Sequence, residues 1–194
     1  MGYPRGFALP AFVMTLAACV VGCSSGQDKT SQGSLAVALG ASRVPAGVQS
    51  ATPSLDDPTG RLKAANVTIS DVEARRSDGT WIPIDRDLPA VIDLLALADG
   101  GVAANLPSGL LPEGHYSALQ LRIAKIELTV RNGTPVTIAP PGAGWVVLIP
   151  VDFEVVIGQA TNVTLKVRLD LSFRLVNGEF EFDPEVEVGS VEHD

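Results

Sequence analysis

Apolar and polar residues alternate along most of the chain, which is the pattern of β-strands with one buried face. The clearest run extends from Val163 to Leu175, where every second residue is apolar. At ~3.3 Å per residue, this run predicts a single strand of about 43 Å. Asn177-Gly178 follows, and this dipeptide predicts a two-residue type I′ turn because both positions tolerate positive φ.

This turn fixes a register for the C-terminal hairpin. Apolar residues face apolar residues, and charges face opposite charges, in the pairs Leu175 with Phe180, Phe173 with Phe182, Leu169 with Val186, Val167 with Val188, Arg174 with Glu181, and Arg168 with Glu187. A slip of one residue would destroy both kinds of match, so turn type, alternation and charge support the same register. Pro184 cannot donate a hydrogen bond, which places residues 179–188 at a sheet edge or turns this amide position outward.

Further strands are predicted before this hairpin. Ser34 to Leu39 alternates as a first strand, and the long polar connection Ala41 to Arg61 is expected to be an exposed, mobile loop. The alternation changes phase at Ser70-Asp71 and at Ala124-Lys125, and a β-bulge at each place would keep both halves facing the core. Ala90 to Leu97 fits either a strand or one or two helical turns.

These strands and the turns between them, such as Ser77-Asp78-Gly79 and Asn132-Gly133, predict an all-β fold. We expect a single antiparallel β-sandwich of about 7–9 strands with Greek-key-like connections. The chain of 194 residues has room for one domain of ordinary size after a leader and a linker. The predicted divisions are a signal peptide at residues 1–22, a lipidated flexible tether at 23–33, the sandwich at 34–188 and a C-terminal tail at 189–194.

The N-terminal segment has the organisation of a secretory signal peptide. Arg5 supplies a positive charge, and Phe7 to Val21 form a nearly continuous apolar stretch. Cys19 and Cys23 each follow residues that resemble the lipobox of bacterial lipoproteins. We favour Cys23 as the lipidated residue because a polar stretch beginning at Ser24 follows it. Two alternatives remain open: Cys19, which has a leucine three residues before it, and an ordinary secretory signal without lipidation.

The predicted location is the cell envelope, with the membrane as a partner through the N-terminal lipid. Ser24 follows Cys23 where some lipoproteins have aspartate, which by resemblance to Gram-negative sorting signals implies the outer membrane, on its periplasmic or its surface face. Removal of the leader takes Arg5 away and leaves 13 basic against 22 acidic residues, a net charge of −9. This surface would repel phosphate backbones, so nucleic acid is not an expected partner.

A family resemblance adds to this interpretation. The turn Leu111 to Tyr116 is followed by the strand Leu119 to Ile123 and preceded by Asp78 to Ile84 and Ile92 to Leu97. Together these segments resemble the bacterial lipoprotein family catalogued as domain of unknown function 4382, over residues 34 to 188. The turn is also similar to those of transthyretin-like and carboxypeptidase-regulatory-like sandwiches. The chain departs from the family pattern in its first strand, which leads into a longer loop. The resemblance implies an extracytoplasmic β-sandwich, and it implies no reaction, cofactor or functional residue.

Residues that commonly carry catalysis are sparse, so we expect no enzymatic activity and no cofactor. The chain has two histidines, His115 and His193, and it lacks serine hydrolase and phosphate-binding motifs. In the derived register, three carboxylates, Asp170, Asp183 and Glu185, are weak candidates for a calcium site. The pattern favours a solvated acidic face balanced by basic residues instead.

Two tryptophans, Trp81 and Trp145, are the candidate ligand-binding residues. Aromatic side chains on a sandwich can stack on sugar rings, although burial in the core is the commoner fate of tryptophan. We therefore expect a non-catalytic module for ligand binding or adhesion, with carbohydrate as the suggested ligand. The alternative is a structural or assembly protein that pairs with another envelope protein through an exposed strand edge. The sequence leaves the oligomeric state open.

Overall fold

The alternating segments fold into a β-sandwich in the computed structural model, which describes residues 31–43, 58–84, 88–106 and 108–194. These residues contain thirteen strands: β1 (Gln32–Ser42), β2 (Leu62–Arg76), β3 (Trp81–Pro83), β4 (Ala90–Asp93), β5 (Ala104–Asn105), β6 (Gly109–Pro112), β7 (Gly114–Val130), β8 (Pro135–Ile138), β9 (Trp145–Val155), β10 (Ala160–Arg168), β11 (Phe173–Val176), β12 (Glu179–Phe182) and β13 (Val186–His193). A 3-10 turn (Pro58–Arg61) precedes β2, and there are two short helices, α1 (Leu94–Ala98) and α2 (Leu169–Ser172).

Two large sheets form the layers of the sandwich. In the five-stranded sheet the order is β13-β10-β1, and β5 and β6 both pair with the other side of β1. In the six-stranded sheet β2 and β7 are central, with β3 and β4 beside β2 and with β8 and β9 beside β7. β11 and β12 form a separate hairpin. The all-β sandwich is confirmed, but the described residues have more strands than expected, and β1 pairs with β10 in parallel.

The core lies between the inward faces of the two large sheets. Leu35 and Leu39 of β1, Leu119 of β7 and Leu165 of β10 are each at most 2% exposed. The alternation along β9 and β10 is complete, with every second side chain buried. Burial of this apolar surface is the main stabilising contribution to such a fold.

The two phase changes in the sequence are β-bulges, as predicted. The pair Ile69 and Ile123 lies between them: Ala124, the extra residue on β7, directly follows Ile123, and Ser70, the extra residue on β2, directly follows Ile69. The two irregularities therefore lie side by side on adjacent strands. Each keeps the apolar residues of its strand facing the core on both sides of the change.

The predicted turns are also confirmed. Asn177 and Gly178 have φ values of +53° and +87°, as a type I′ turn requires. Asn132-Gly133 joins β7 to β8, and Gly79 closes the turn between β2 and β3. The undecided segment from residue 90 to 97 contains both structures, because β4 ends at Asp93 and the carboxylate of this residue caps α1 by accepting the Leu95 and Ala96 N–H groups.

The prediction of one continuous strand from Val163 to Leu175 is wrong. The hairpin register near the turn holds, with Phe173 opposite Phe182. Between β10 and β11, however, the chain forms the single turn α2. Five residues separate Val167 from Phe173, whereas three separate Phe182 from Val186, and the helical turn takes up the two extra residues.

This insertion shifts the outer register by two residues. Val167 faces Val186, and Leu165 faces Val188, in place of the predicted partners. A shift of two preserves the alternation of faces, so Val167 stays buried, but Leu171 in the helical turn is 46% exposed. The sequence carried no signal for this turn. Its four residues are an even number, so the alternation of apolar and polar residues continues in the same phase after it.

The C-terminal end of the domain differs from the prediction. The expected tail after residue 188 is wrong, because β13 continues to His193, which lies opposite Thr161 of β10. The predicted strand from residue 179 to 188 is divided, because Pro184 lies between β12 and β13, and each of these two strands is at the edge of its sheet. The predicted signal peptide, both cysteines and most of the tether lie outside the described residues, as does most of the connection from residue 41 to 61. None of the described helices is long and apolar enough to cross a membrane.

Candidate ligand-binding site

Trp145 is a core residue and therefore no sugar platform. It is 8% exposed, and its indole N–H donates to the carbonyl oxygen of Phe182 at 3.1 Å. The ring meets the Phe182 ring edge-on, with centroids 5.5 Å apart. The indole N–H and the ring of Trp145 therefore both make their contacts inside the protein.

Trp81 is half-buried on the outer face of the six-stranded sheet. It lies on the edge strand β3 directly opposite Arg75, and the Arg75 guanidinium stands 5.9 Å from the ring centroid. This is a cation–π contact at an exposed position. Because the guanidinium covers the indole, a sugar ring would have to displace it to stack there.

The carboxylates proposed for calcium are not brought together. Asp170 accepts two hydrogen bonds from Arg168, at 2.8 and 3.1 Å, and this pairing raises the pKa of Arg168. Asp183 is 3.9 Å from Arg174. Glu185 is exposed. In the described part of the chain, no group of three or more His, Cys, Asp or Glu side chains is placed to hold a metal.

In the part of the chain that the structure describes, neither histidine belongs to a group of three or more His, Cys, Asp or Glu side chains placed to hold a metal. His115 is 74% exposed and stands 3.8 Å from Glu154. His193 lies 3.3 Å from the buried hydroxyl of Thr161, which donates to the Glu154 carbonyl oxygen. Each contact joins neighbouring strands and has an evident structural role.

The two ends of the sandwich are distinguished by where the N-terminal segment enters. β1 begins at Gln32 beside the turn between β9 and β10, so the N-terminal segment enters there, and we call this the entry end. β7 starts at the same end, because Gly114 pairs with Val155. With 17 residues, β7 runs roughly 50 Å to the opposite end at about 3.3 Å per residue. We call that opposite end the distal end.

A groove of about 670 Å³ opens at the distal end, between the β7–β8 and β11–β12 hairpins. The size is within the ~300–1,000 Å³ of typical ligand sites. Its lining residues are Arg61, Val130, Asn132, Thr134, Val136, Thr137, Ile138, Ala139, Leu175, Gly178, Glu179 and Phe180. Both Asn-Gly turns therefore contribute to one site, which the sequence did not suggest.

The apolar part of the groove is continuous with the core. Val136 and Ile138 lie opposite Leu128 and Ile126, which are at most 1% exposed, so both share their inward face. Because β8 is an edge strand, these side chains are covered on one side only. Phe180 is also half-buried and adds an aromatic ring to the groove.

The polar part of the groove carries opposite charges. Arg61 is held by its backbone, since its carbonyl oxygen accepts from the Arg131 N–H at 2.9 Å. Glu179 begins β12 beside the Asn-Gly turn. Both side chains are exposed, and neither forms an ion pair with another described residue. Two turn-forming polar residues, Asn132 and Thr134, complete the rim. The side-chain oxygen of Asn132 accepts from the Thr134 N–H at 2.9 Å.

The protein is thus an all-β sandwich with a groove between two hairpins at its distal end. The family model described as domain of unknown function (DUF4382) matches residues 54–184, which are 131 of the 194 residues. The chain belongs to this family. No curated protein and no solved structure matches it. The match is shorter than the expected 34–188, since it begins after β1 and ends just before β13.

Proposed function

We propose that the protein is a cell-envelope lipoprotein whose β-sandwich is a non-catalytic binding module for carbohydrate. The observation that carries the proposal is the groove at the distal end, far from the point where the N-terminal segment enters. A lipid on Cys23 would hold the entry end at the membrane, with the outer membrane as the proposed location. The groove would then face away from the bilayer, toward a ligand.

The composition of the groove suits a sugar. Protein sites for small molecules combine an apolar floor with a few polar groups that fix orientation. Phe180 offers a ring for the apolar face of a pyranose, and Arg61, Glu179 and Thr137 offer charged and hydroxyl groups for its hydroxyls. The groove is bounded by two hairpins and open between them, which suits a chain of sugars.

The anchor is tested by acyl labelling in a bacterium that processes lipoproteins. Cys23→Ala should abolish labelling and leave an unprocessed precursor, whereas Cys19→Ala should be labelled as the wild type is. The reverse result would move the lipid to Cys19. Labelling that survives both substitutions would refute the lipoprotein proposal.

The binding site is tested with the processed protein in detergent, on a glycan array that includes cell-wall fragments. Phe180→Ala and Arg61→Gln should each weaken binding of the selected glycan about tenfold, the scale of one or two lost contacts. Trp81→Ala is the matched control, because this residue lies outside the groove. If Trp81→Ala abolishes binding while both groove variants bind normally, the ligand site is on the outer face of the sheet.

A strand-edge assembly protein is the second candidate, and β9 is the observation that favours it. Among the described residues β9 pairs only with β7, and Val146 and Leu148 on its outer face are 52% and 55% exposed. Pro150 lies in the middle of the strand, where the lack of an N–H limits pairing with another chain. Self-association that rises with concentration and is abolished by Leu148→Lys would support this role.

A further inference from the structure

The entry of the chain into the sandwich is built from two neighbouring segments. Gln32 accepts a hydrogen bond at its carbonyl oxygen from the Gly158 N–H at 3.2 Å, and the Ser34 N–H donates to the Gln159 carbonyl oxygen at 3.0 Å. On the other side, β6 pairs antiparallel with the first residues of β1. The start of β1 is thus held between β6 and the turn that joins β9 to β10.

An exposed apolar side chain lies on each side of this entry. Leu110 of β6 is opposite Ser34 and is 62% exposed. Ile157 precedes Gly158 in the turn and is 44% exposed. Single exposed apolar residues are ordinary on protein surfaces. These two are distinguished by their position, because both flank the one point where the chain leaves the sandwich toward its N-terminus.

The length of the preceding segment limits how far this end can move from the membrane. Eight residues, Ser24 to Ser31, separate Cys23 from β1. Fully extended, they span at most ~29 Å at about 3.6 Å per residue. A linker of this length gives an effective concentration in the mM range at the membrane, so a weak surface contact is enough for docking.

We propose that the entry end docks on the lipid bilayer, with Leu110 and Ile157 inserted into its interface. This inference rests on the lipid anchor proposed above, and it is independent of the ligand in the groove. Docking would fix the orientation of the sandwich and hold the groove at the full length of β7 from the membrane.

The charges at this end select the kind of lipid surface. Arg76 is basic, donates to the Glu113 carbonyl oxygen and lies 3.9 Å from Asp78, but the acidic residues at this end outnumber it. Glu113 donates its N–H to the Ser31 carbonyl oxygen, and Asp194 donates its N–H to the Ala160 carbonyl oxygen, so both acidic residues lie beside the entry. Glu154 also lies at this end, opposite His115. Acidic groups are repelled by anionic headgroups. The apolar contact is therefore expected on zwitterionic lipid, and addition of anionic lipid should weaken it.

The test uses the lipidated protein in phosphatidylcholine vesicles. The chain has two cysteines, both in the leader region, so after lipidation a new cysteine is the single reactive thiol. A fluorophore on Gln159→Cys reports on the entry end, and one on Arg131→Cys reports on the distal end. Nitroxide-labelled headgroups should quench the first label strongly and the second weakly.

The substitutions Leu110→Gln and Ile157→Gln should each lower the ratio of docked to undocked protein about tenfold, as expected for loss of one partly buried apolar side chain. Leu148→Gln is the matched control, with a similarly exposed leucine away from the entry, and should leave quenching unchanged. Thermal melting of each variant checks that the fold is intact, and the exposure of these side chains predicts unchanged melting.

Several results would overturn the proposal. Equal quenching at both labels, or quenching at residue 159 that persists in the Leu110→Gln, Ile157→Gln double variant, would mean that the domain moves freely on its tether. Stronger docking on anionic lipid would mean that charge and not apolar contact holds this end. Absence of acyl labelling would remove the anchor itself, and that failure is recognised separately from failure of docking.

Discussion

Three aromatic rings at the base of the C-terminal hairpin provide the sharpest test of the structure. Phe173 is 1% exposed, and its ring centroid lies 4.9 Å from that of Phe182. Phe182 in turn meets Trp145 edge-on, and its carbonyl oxygen accepts the indole hydrogen bond. The register set by Asn177-Gly178 is what brings these rings together.

Phe173→Ala should lower the free energy of unfolding by about 3–5 kcal/mol, since it removes a fully buried aromatic ring and leaves a cavity. Phe182→Ala should cost a similar amount. In a double-mutant cycle, the two changes should be non-additive by about 0.5–1.5 kcal/mol, the direct contribution of an aromatic pair beyond its buried area. Phe180→Ala is the control on the same hairpin and should cost less, because that ring is half-buried.

The assay is urea unfolding followed by tryptophan fluorescence, in which Trp145 is the buried reporter within the cluster and Trp81 is the half-buried one outside it. The slope of the free energy against urea should stay unchanged, so that midpoint shifts report stability. A loss below about 1 kcal/mol for Phe173→Ala would be inconsistent with a well-packed core position and would refute the register argument.

Further predictions concern the Asn-Gly hairpin, the α1 cap and a buried tyrosine. Gly178→Val should lower the free energy of unfolding in urea by about 1–3 kcal/mol, because residue 178 has positive φ. Exchange of Arg174 and Glu181, an exposed cross-strand pair, should change the free energy of unfolding by less than about 1 kcal/mol. Asp93→Ala should lower the free energy of unfolding by about 1–2 kcal/mol, because it removes the cap of α1. Asp93→Asn should retain most of the stability, because the asparagine oxygen can still accept the capping hydrogen bonds. Burial raises the pKa of the Tyr116 hydroxyl. The contribution of this group to the free energy of unfolding is therefore full below its unfolded-state pKa and is lost as pH rises through its folded-state pKa. Tyr116→Phe should remove this alkaline dependence in urea unfolding.

The local features of the fold could be predicted because each depends on a few adjacent residues. Type I′ geometry follows from Asn177-Gly178, and the bulge at Ser70 follows from a change of phase that only an extra residue can produce. The turn α2 could not be found in this way. It replaces a stretch of strand without changing the alternation, and α2 and β11 contact the 3-10 turn Pro58–Arg61, which is distant in sequence and is not encoded by the local pattern.

The fate of the tryptophans was not predictable for a related reason. Trp81 and Trp145 both begin strands next to turns, so the local pattern treats them alike. One begins an edge strand on the outer face, and the other faces inward against the hairpin. The groove was missed because its residues come from three distant segments. The signal that was available was the presence of two Asn-Gly hairpins, without any indication that they meet.

The direction of β1 decides whether the chain enters the sandwich beside the groove or at the opposite end. β1 runs parallel to β10, with Ser34 opposite Ala160 and Ser42 opposite Arg168. β10 leads through α2 into the hairpin that borders the groove, so parallel pairing puts the start of β1 at the other end of the sandwich. An antiparallel β1 would begin beside the groove, and the proposed lipidated tether would then turn the groove toward the bilayer. Hydrophobic alternation is the same for both directions. The sequence pattern therefore could not decide at which end of the sandwich the groove lies relative to the start of β1, whereas the parallel register places the groove at the end opposite the entry of the chain.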